Sequence, residues 1–263
     1  MTTLQETFQC DRPVALVTGS GAPRVGRAIA EHLASLGCRI ALHANKSLAE
    51  AQRVSDSLRK SFDCDVIVTQ GELDDSEVPA RLVSETHDQF GRIDILVNSA
   101  AIWEPRQFTE ITAKEIRRYF EVNTLASFLC AQAAGLKMAA QESGGCIINI
   151  GDWATVRPYL DHAAYFPSKG AIEVMTRSLA VELAQQNRRI RVNCIQPGPV
   201  LLADDVTPEQ ARKVAKSTIV DRVGTPQNIA HAVQFLCEND FVNGICLPVD
   251  GGRSVFANDG VYA

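Results

Sequence analysis

The sequence predicts an α/β fold, a doubly wound parallel sheet with helices on both faces. Three observations predict it. Short apolar runs alternate with longer amphipathic stretches along nearly the whole chain. A glycine-rich turn, Gly19-Ser-Gly-Ala-Pro-Arg24-Val25-Gly26, follows the first apolar run and opens directly into a helical pattern. Nothing in the 263 residues resembles a linker or an internal repeat, so residues 1–263 are expected to form one domain.

In chain order, the apolar run Val14 to Thr18 is the first strand, and Arg27 to Leu36 is a helix stopped by Gly37. Arg39 to His43 is a second strand, Leu48 to Ser61 an amphipathic helix, and Asp65 to Thr69 a third strand. A helix near Glu77 to Phe90 leads to the strand Ile93 to Asn98. One long helix is expected from about Thr112 to Ala140, followed by the strand Cys146 to Ile150. The helix that begins at Tyr165 leads to the strand Ile190 to Ile195, and a helix near Asn228 to Glu238 precedes the strand Ile245 to Val249. Strands that alternate with helices in this way form parallel sheets covered on both sides.

Composition excludes several functions. A hydrophobic content of 46%, a charged content of 22% and a formal charge of −5 give no electrostatic bias toward nucleic acid or anionic membrane. The N-terminus has no basic segment followed by an apolar run, and no apolar stretch approaches membrane-spanning length, so a cytoplasmic location is expected. The eight cysteines contain no Cys-x-x-Cys pair and read as reduced, mostly buried residues. The five histidines are scattered, and no metal is expected.

Ligands of such sheets bind beyond the carboxyl ends of the strands. Glycines in the first loop let the backbone approach a pyrophosphate, whose charge the following helix N-terminus favours. The second strand ends in His43-Ala44-Asn45-Lys46-Ser47, without the carboxylate that would hold the free ribose hydroxyl of NAD. Lys46 and Arg24 can instead meet a 2′-phosphate, which points to NADPH. An aspartate in place of Ala44 is expected to shift preference toward NADH. Tyr165 and Lys169 stand four apart at a helix start and share a face, so the ammonium group is expected to lower the phenol pKa and make Tyr165 a proton donor.

Thr18-Gly19…Gly26, Asn98-Ser-Ala100, Asn123, Tyr165-x-x-x-Lys169 and Pro197-Gly198 occur in one order, and with them the chain resembles the short-chain dehydrogenase/reductase family over residues 13–253. The resemblance implies a Rossmann-type sheet of about seven strands, hydride transfer with a nicotinamide, and a homotetramer. It implies that Tyr165 is the catalytic acid/base, that Lys169 also binds the nicotinamide ribose, and that Asn123 helps to hold a proton-relay water. Asn98 and Ala100 match the segment lining the cofactor. Pro197-Gly198-Pro-Val200 matches the turn at the carboxamide, and Glu72-Leu73 fall where the family lies beside the adenine.

The chain departs from the family pattern at three places. Asp152 replaces the serine thirteen residues before the tyrosine, Arg24 replaces a loop glycine, and Asn98-Ser-Ala-Ala-Ile-Trp103 replaces Asn-Asn-Ala-Gly. These features resemble the pteridine reductase branch and the related dihydromonapterin reductases. In that branch an aromatic group at the position of Trp103 stacks the substrate, although a loop anchor is an equal reading of Trp103. Trp153 is open between packing beneath the site and lining it. The expected activity is NADPH-dependent reduction of a pteridine-like planar heterocycle by Asp152, Tyr165 and Lys169. The alternatives are a carbonyl reductase resembling the 3-oxoacyl type and a nucleotide-binding regulatory protein without turnover. Asp204, Asp205 and Lys213 of the loop 201–221 are expected as solvated charges. The tail after Gly252 is compatible either with disorder or with a contact to a neighbouring subunit.

Overall fold

Successive residues of a strand point to opposite faces of its sheet, and here both sets are apolar. Ala15 and Val17 of β1 (Val14–Val17) enter one buried cluster and Leu16 enters another. Such double burial is the usual condition of a parallel sheet. The structure is a computed structural model and describes residues 3–203 and 205–256. The other strands are β2 (Arg39–Ala44), β3 (Val66–Gln70), β4 (Ile95–Asn98), β5 (Gly145–Ile150), β6 (Ile190–Pro197) and β7 (Cys246–Val249). All pair in parallel, in the order β3-β2-β1-β4-β5-β6-β7. The expected seven-stranded sheet is therefore present. Its winding reverses between β1 and β4, where a crevice opens beyond the strand ends.

The helices are α1 (Leu4–Phe8), α2 (Val25–Ser35), α3 (Leu48–Phe62), α4 (Val78–Phe90), α5 (Ala113–Tyr119), α6 (Ala126–Ala139), α7 (Tyr165–Gln186), α8 (Pro208–Lys216) and α9 (Pro226–Glu238). Apolar residues of α1, α2, α3 and α9 cover one face, and those of α4, α6 and α7 cover the other. At the amino end of the sheet Asp94 is fully buried. Its carboxylate pairs with Arg92 at 2.6 Å and accepts the Val14 amide at 2.8 Å, which ties β1 to the start of β4.

Three elements differ from expectation. The long helix is interrupted by a π-helical turn, Phe120–Leu125, between α5 and α6. Asn123 lies in that turn and binds the loop after β4, a tertiary tie that helical periodicity cannot reveal. The stretch before residue 13, for which no element is expected, contains α1, capped reciprocally by Thr3 and Glu6, with Leu4 and Phe8 buried. The loop 201–221 contains α8, with the same kind of cap between Thr207 and Gln210. Both caps follow the Thr-x-x-Glu/Gln pattern that marks a helix start. Asp205 is exposed and Lys213 is paired with Glu209 at 2.9 Å, whereas Asp204 and residues 257–263 lie outside the described residues.

Candidate functional site

The first loop is fixed by backbone groups. Gly19 has φ +67°, and a Cβ there would come within 2.7 Å of the Ala100 Cα, so loop and strand end meet without room for a side chain. Thr18 Oγ1 holds the opposite side by accepting the amides of Ser99 (3.0 Å) and Ala100 (3.1 Å). Next to it, the amides of Ser20 and Gly21 donate to the His43 carbonyl. The buried His43 ring completes the tie. Gly19 N–H donates to its Nδ1 at 3.1 Å and its Nε2 lies 3.1 Å from the Gly71 carbonyl, the pattern of a neutral imidazole with the proton on Nε2. Burial lowers the His43 pKa and favours that neutral form.

A cleft of about 810 Å³ begins at this loop and runs across the carboxyl ends of the strands. At its first end stand Arg24, Asn45, Lys46 and Ser47. Arg24 and Lys46 are exposed, and among the described residues neither makes an ion pair. The first turn of α2 has no side-chain cap and no acidic residue, and while the Arg27 amide donates to the Arg24 carbonyl, those of Val25 and Gly26 are left to meet an anion.

The second end is built around Tyr165. Its hydroxyl donates to Asp152 Oδ2 at 2.8 Å, while Asp152 Oδ1 accepts the Ala154 amide at 2.8 Å. Burial, the Asp152 charge and this hydrogen bond together hold the Tyr165 pKa well above the ordinary phenol value. Lys169 is buried and its Nζ donates to the Ile150 carbonyl at 2.7 Å, with burial lowering its pKa. Trp103 stacks on His162 with ring centres 4.6 Å apart and donates from Nε1 to the Tyr159 hydroxyl at 3.2 Å. Trp153 lies under the Arg253 guanidinium, 4.4 Å from its ring centre.

Of the residues singled out by sequence, Gly19, Arg24, Val25, Asn45, Lys46, Ser47, Glu72, Leu73, Ala100, Trp103, Asp152, Tyr165, Lys169, Pro197, Gly198 and Val200 all line this one cleft. One expectation is corrected, that of a phenol partly ionised by Lys169, and three further residues stand behind the cleft wall. No hydrogen bond joins Lys169 to Tyr165, and the phenol is held protonated rather than partly ionised, because the lysine reaches Ile150 and the carboxylate reaches the phenol. Asn98 does not line the cleft; buried beneath it, its Nδ2 donates to the Ser127 carbonyl and to Asn149 Oδ1. Gly26 is also buried, where a Cβ would lie 2.8 Å from the Gly19 carbonyl oxygen, so it serves close packing of loop on helix. Asn123 stands behind the site, its side chain bound to both main-chain groups of Ile102 and to Ser168 Oγ.

Sequence reasoning missed Tyr159 and Arg253 in the cleft wall and left Trp153 open. The tail expectation changes as well. Arg157 donates to the carbonyls of Arg253 (2.7 Å) and Phe256, so the segment 253–256 folds back over the site. All eight cysteines are free thiols, and the described residues contain no cluster of three or more His, Cys, Asp or Glu able to hold a metal.

A glycine-turn cleft at the switch point of a parallel sheet, with a tyrosine, a lysine and a carboxylate at one end, defines a nucleotide-dependent oxidoreductase architecture. A family model described as Enoyl-(Acyl carrier protein) reductase matches residues 22–254. Versicolorin reductase 1 of Aspergillus parasiticus is 32% identical, over 95% of this chain and 99% of its own. An NADPH-dependent aldehyde reductase-like chloroplastic protein of Arabidopsis thaliana is 34% identical, over 91% of this chain and 93% of its own. A crystal structure titled as a short-chain alcohol dehydrogenase of Sinorhizobium meliloti 1021 superposes with a TM-score of 0.84, at 28% identity, over 92% of this chain and 96% of that one. The chain belongs to the short-chain dehydrogenase/reductase family, and it is an oxidoreductase of that type.

Proposed function

We propose that the protein is an NADPH-dependent reductase of a planar cyclic substrate, a pteridine-like heterocycle being the leading case. The observation that carries this reading is the 2.8 Å hydrogen bond from Tyr165 to Asp152, in a cleft whose walls include Trp103, Trp153 and Tyr159. Flat rings suit such walls, where offset stacking contributes about 0.5–1.5 kcal/mol beyond area burial. Tyr165 is the proton donor, kept protonated for that purpose by burial and by Asp152. Asp152 accepts from a ring N–H beside the reducible bond. Lys169 holds the end of β5 through the Ile150 carbonyl and so fixes the strand from which Asp152 leaves.

When bound, NADPH supplies the hydride. Gly19, Val25, Asn45, Ser47, Glu72, Leu73, Ala100, Pro197, Gly198 and Val200 would hold it along the cleft, with Arg24 and Lys46 at its 2′-phosphate. The name of the Arabidopsis relative supports this choice of cofactor. Replacing both Arg24 and Lys46 by alanine is expected to weaken NADPH binding about tenfold or more and NADH binding far less. Equal wild-type affinity for the two nucleotides, measured by titration, would remove the charge assignment. Ala44 is not the position at which to add an acid, since it is 1% exposed and a Cβ on Gly21 would already lie 2.9 Å from its own. Asn45→Asp, exposed in the cleft, is the substitution expected to favour NADH.

A carbonyl reductase is the second reading, favoured by the aldehyde reductase name of the same relative. NADPH oxidation with a dihydropterin and with a matched cyclic ketone separates the two. Faster turnover of the pterin supports the first, and ketone turnover without pterin turnover supports the second. NADPH binding without turnover of either would favour a regulatory protein.

The homotetramer expected from the family is part of the proposal. Phe128 and Leu136 of α6 and Val174 and Val181 of α7 leave apolar surface exposed, which suits burial against further copies. Light scattering is expected to give four times the chain mass, and a monomer mass would exclude it. Free thiols suit a reducing compartment, which favours the cytoplasm. No helix of the described residues is long and apolar enough to cross a membrane.

A further inference from the structure

Arg253 lines the substrate end of the cleft together with Asp152, Tyr159 and Tyr165. Its guanidinium lies over Trp153, the residue that follows Asp152, and so is assigned to a different part of the cleft from Arg24 and Lys46. The backbone around it is held. Arg157 donates to the carbonyls of Arg253 and Phe256, and Asp250 accepts the amides of Gly252 (2.9 Å) and Ser254 (2.6 Å). Both oxygens of that neighbouring carboxylate are therefore committed to the turn. Among the described residues no carboxylate forms an ion pair with the Arg253 guanidinium, and no acceptor takes a hydrogen bond from it. Burial is the main influence on its pKa and lowers it from the ordinary arginine value, yet a guanidinium remains charged at any ordinary pH.

A half-buried guanidinium with no hydrogen-bonded partner among the described residues is costly, the Asp250 and Asp152 carboxylates acting on it through their charge alone, and its planar fork matches a carboxylate in two parallel hydrogen bonds. We propose that Arg253 forms a subsite for a carboxylate on the substrate ring, so that the preferred substrate is an acidic planar molecule. This inference deepens the reductase reading and rests on it for the word substrate. The Asp152 charge disfavours a second anion beside Tyr165, which assigns the acidic group to the Trp153 side of the ring.

The two tryptophans of the chain, Trp103 and Trp153, both line the cleft, so their fluorescence reports ring binding without turnover. The probes are 2-naphthoate and 2-naphthamide, equal in ring and nearly equal in size, titrated in the presence of NADP⁺. The wild type is expected to bind the acid about tenfold or more tightly than the amide. Arg253→Met should bring that ratio close to one. Arg253→Lys, which keeps the charge and loses the fork, should fall between them, and a cooperative melting transition in each variant shows that the fold is intact.

Equal wild-type affinity for the two probes, no binding of naphthoate, or a preference that survives Arg253→Met would overturn the subsite. A preference that survives Arg253→Met and disappears in Arg118→Met would assign it to Arg118, an exposed cation that also lines the cleft. If naphthoate preference depends on Arg253 and yet no ring substrate oxidises NADPH, the anion subsite stands and the reductase reading fails.

Discussion

Replacing Tyr165 by phenylalanine is expected to lower kcat by roughly 10²–10⁴-fold, the range of a positioned general acid, with the affinity for NADPH nearly unchanged. The ring is 5% exposed and packs edge-on against Tyr119, centres 6.1 Å apart, so the aromatic wall survives the substitution. Asp152 stays oriented because Oδ1 still accepts the Ala154 amide. Only the transferable proton is lost. Steady-state kinetics on the preferred substrate and a separate nucleotide titration check both parts, and turnover at the wild-type rate would remove Tyr165 as the proton donor. Because the raised pKa keeps the phenol protonated, wild-type reduction should persist through neutral pH and decline only on the alkaline side. A phenol partly ionised at neutrality would show the opposite, a decline already near pH 7.

The sheet was legible in the sequence because each strand is buried on both faces and so appears as a short apolar run, as in Ile95-Leu-Val97 and Cys146-Ile-Ile148. The π-helical turn at Asn123 was not, since the residue in it is tied by two hydrogen bonds to Ile102, 21 residues away, a contact that local periodicity does not carry. The motif positions converge on one cleft, some as its wall and some behind it. Gly26 and Asn98 support the site by packing and by cross-strand hydrogen bonding, and a spacing pattern does not distinguish support from contact. The Tyr165 and Lys169 spacing correctly puts both side chains in the cleft. Their partners, Asp152 and Ile150, arrive from β5 and the loop after it, and it is these that set the chemistry. Arg253 carried no local signal at all, because its place depends on the chain returning from β7 across Trp153.

Asp152→Ser is expected to reduce turnover of a pterin by about 10²-fold or more, while simple ketones are retained or improved. A carboxylate can accept a ring N–H and stabilise a proton gained there, whereas serine offers a neutral hydroxyl of different reach. The same substitution has a second readout that follows from electrostatics alone. Asp152 raises the Tyr165 pKa twice, through its charge and by accepting the proton of the neutral phenol. Without it the pKa falls, although burial still holds it up. The alkaline limb of reduction, where the donor loses its proton, should therefore move to lower pH in Asp152→Ser. In the reverse direction, where phenolate acts as the base, activity should appear at lower pH than in the wild type. Profiles of kcat/KM in both directions measure the shift. An alkaline limb that stays in place would mean that Asp152 does not control the phenol. Pterin turnover undiminished by the substitution would make Asp152 a polar anchor in place of serine, and the carbonyl reductase reading would then take over, since a neutral hydroxyl suffices to orient a ketone oxygen.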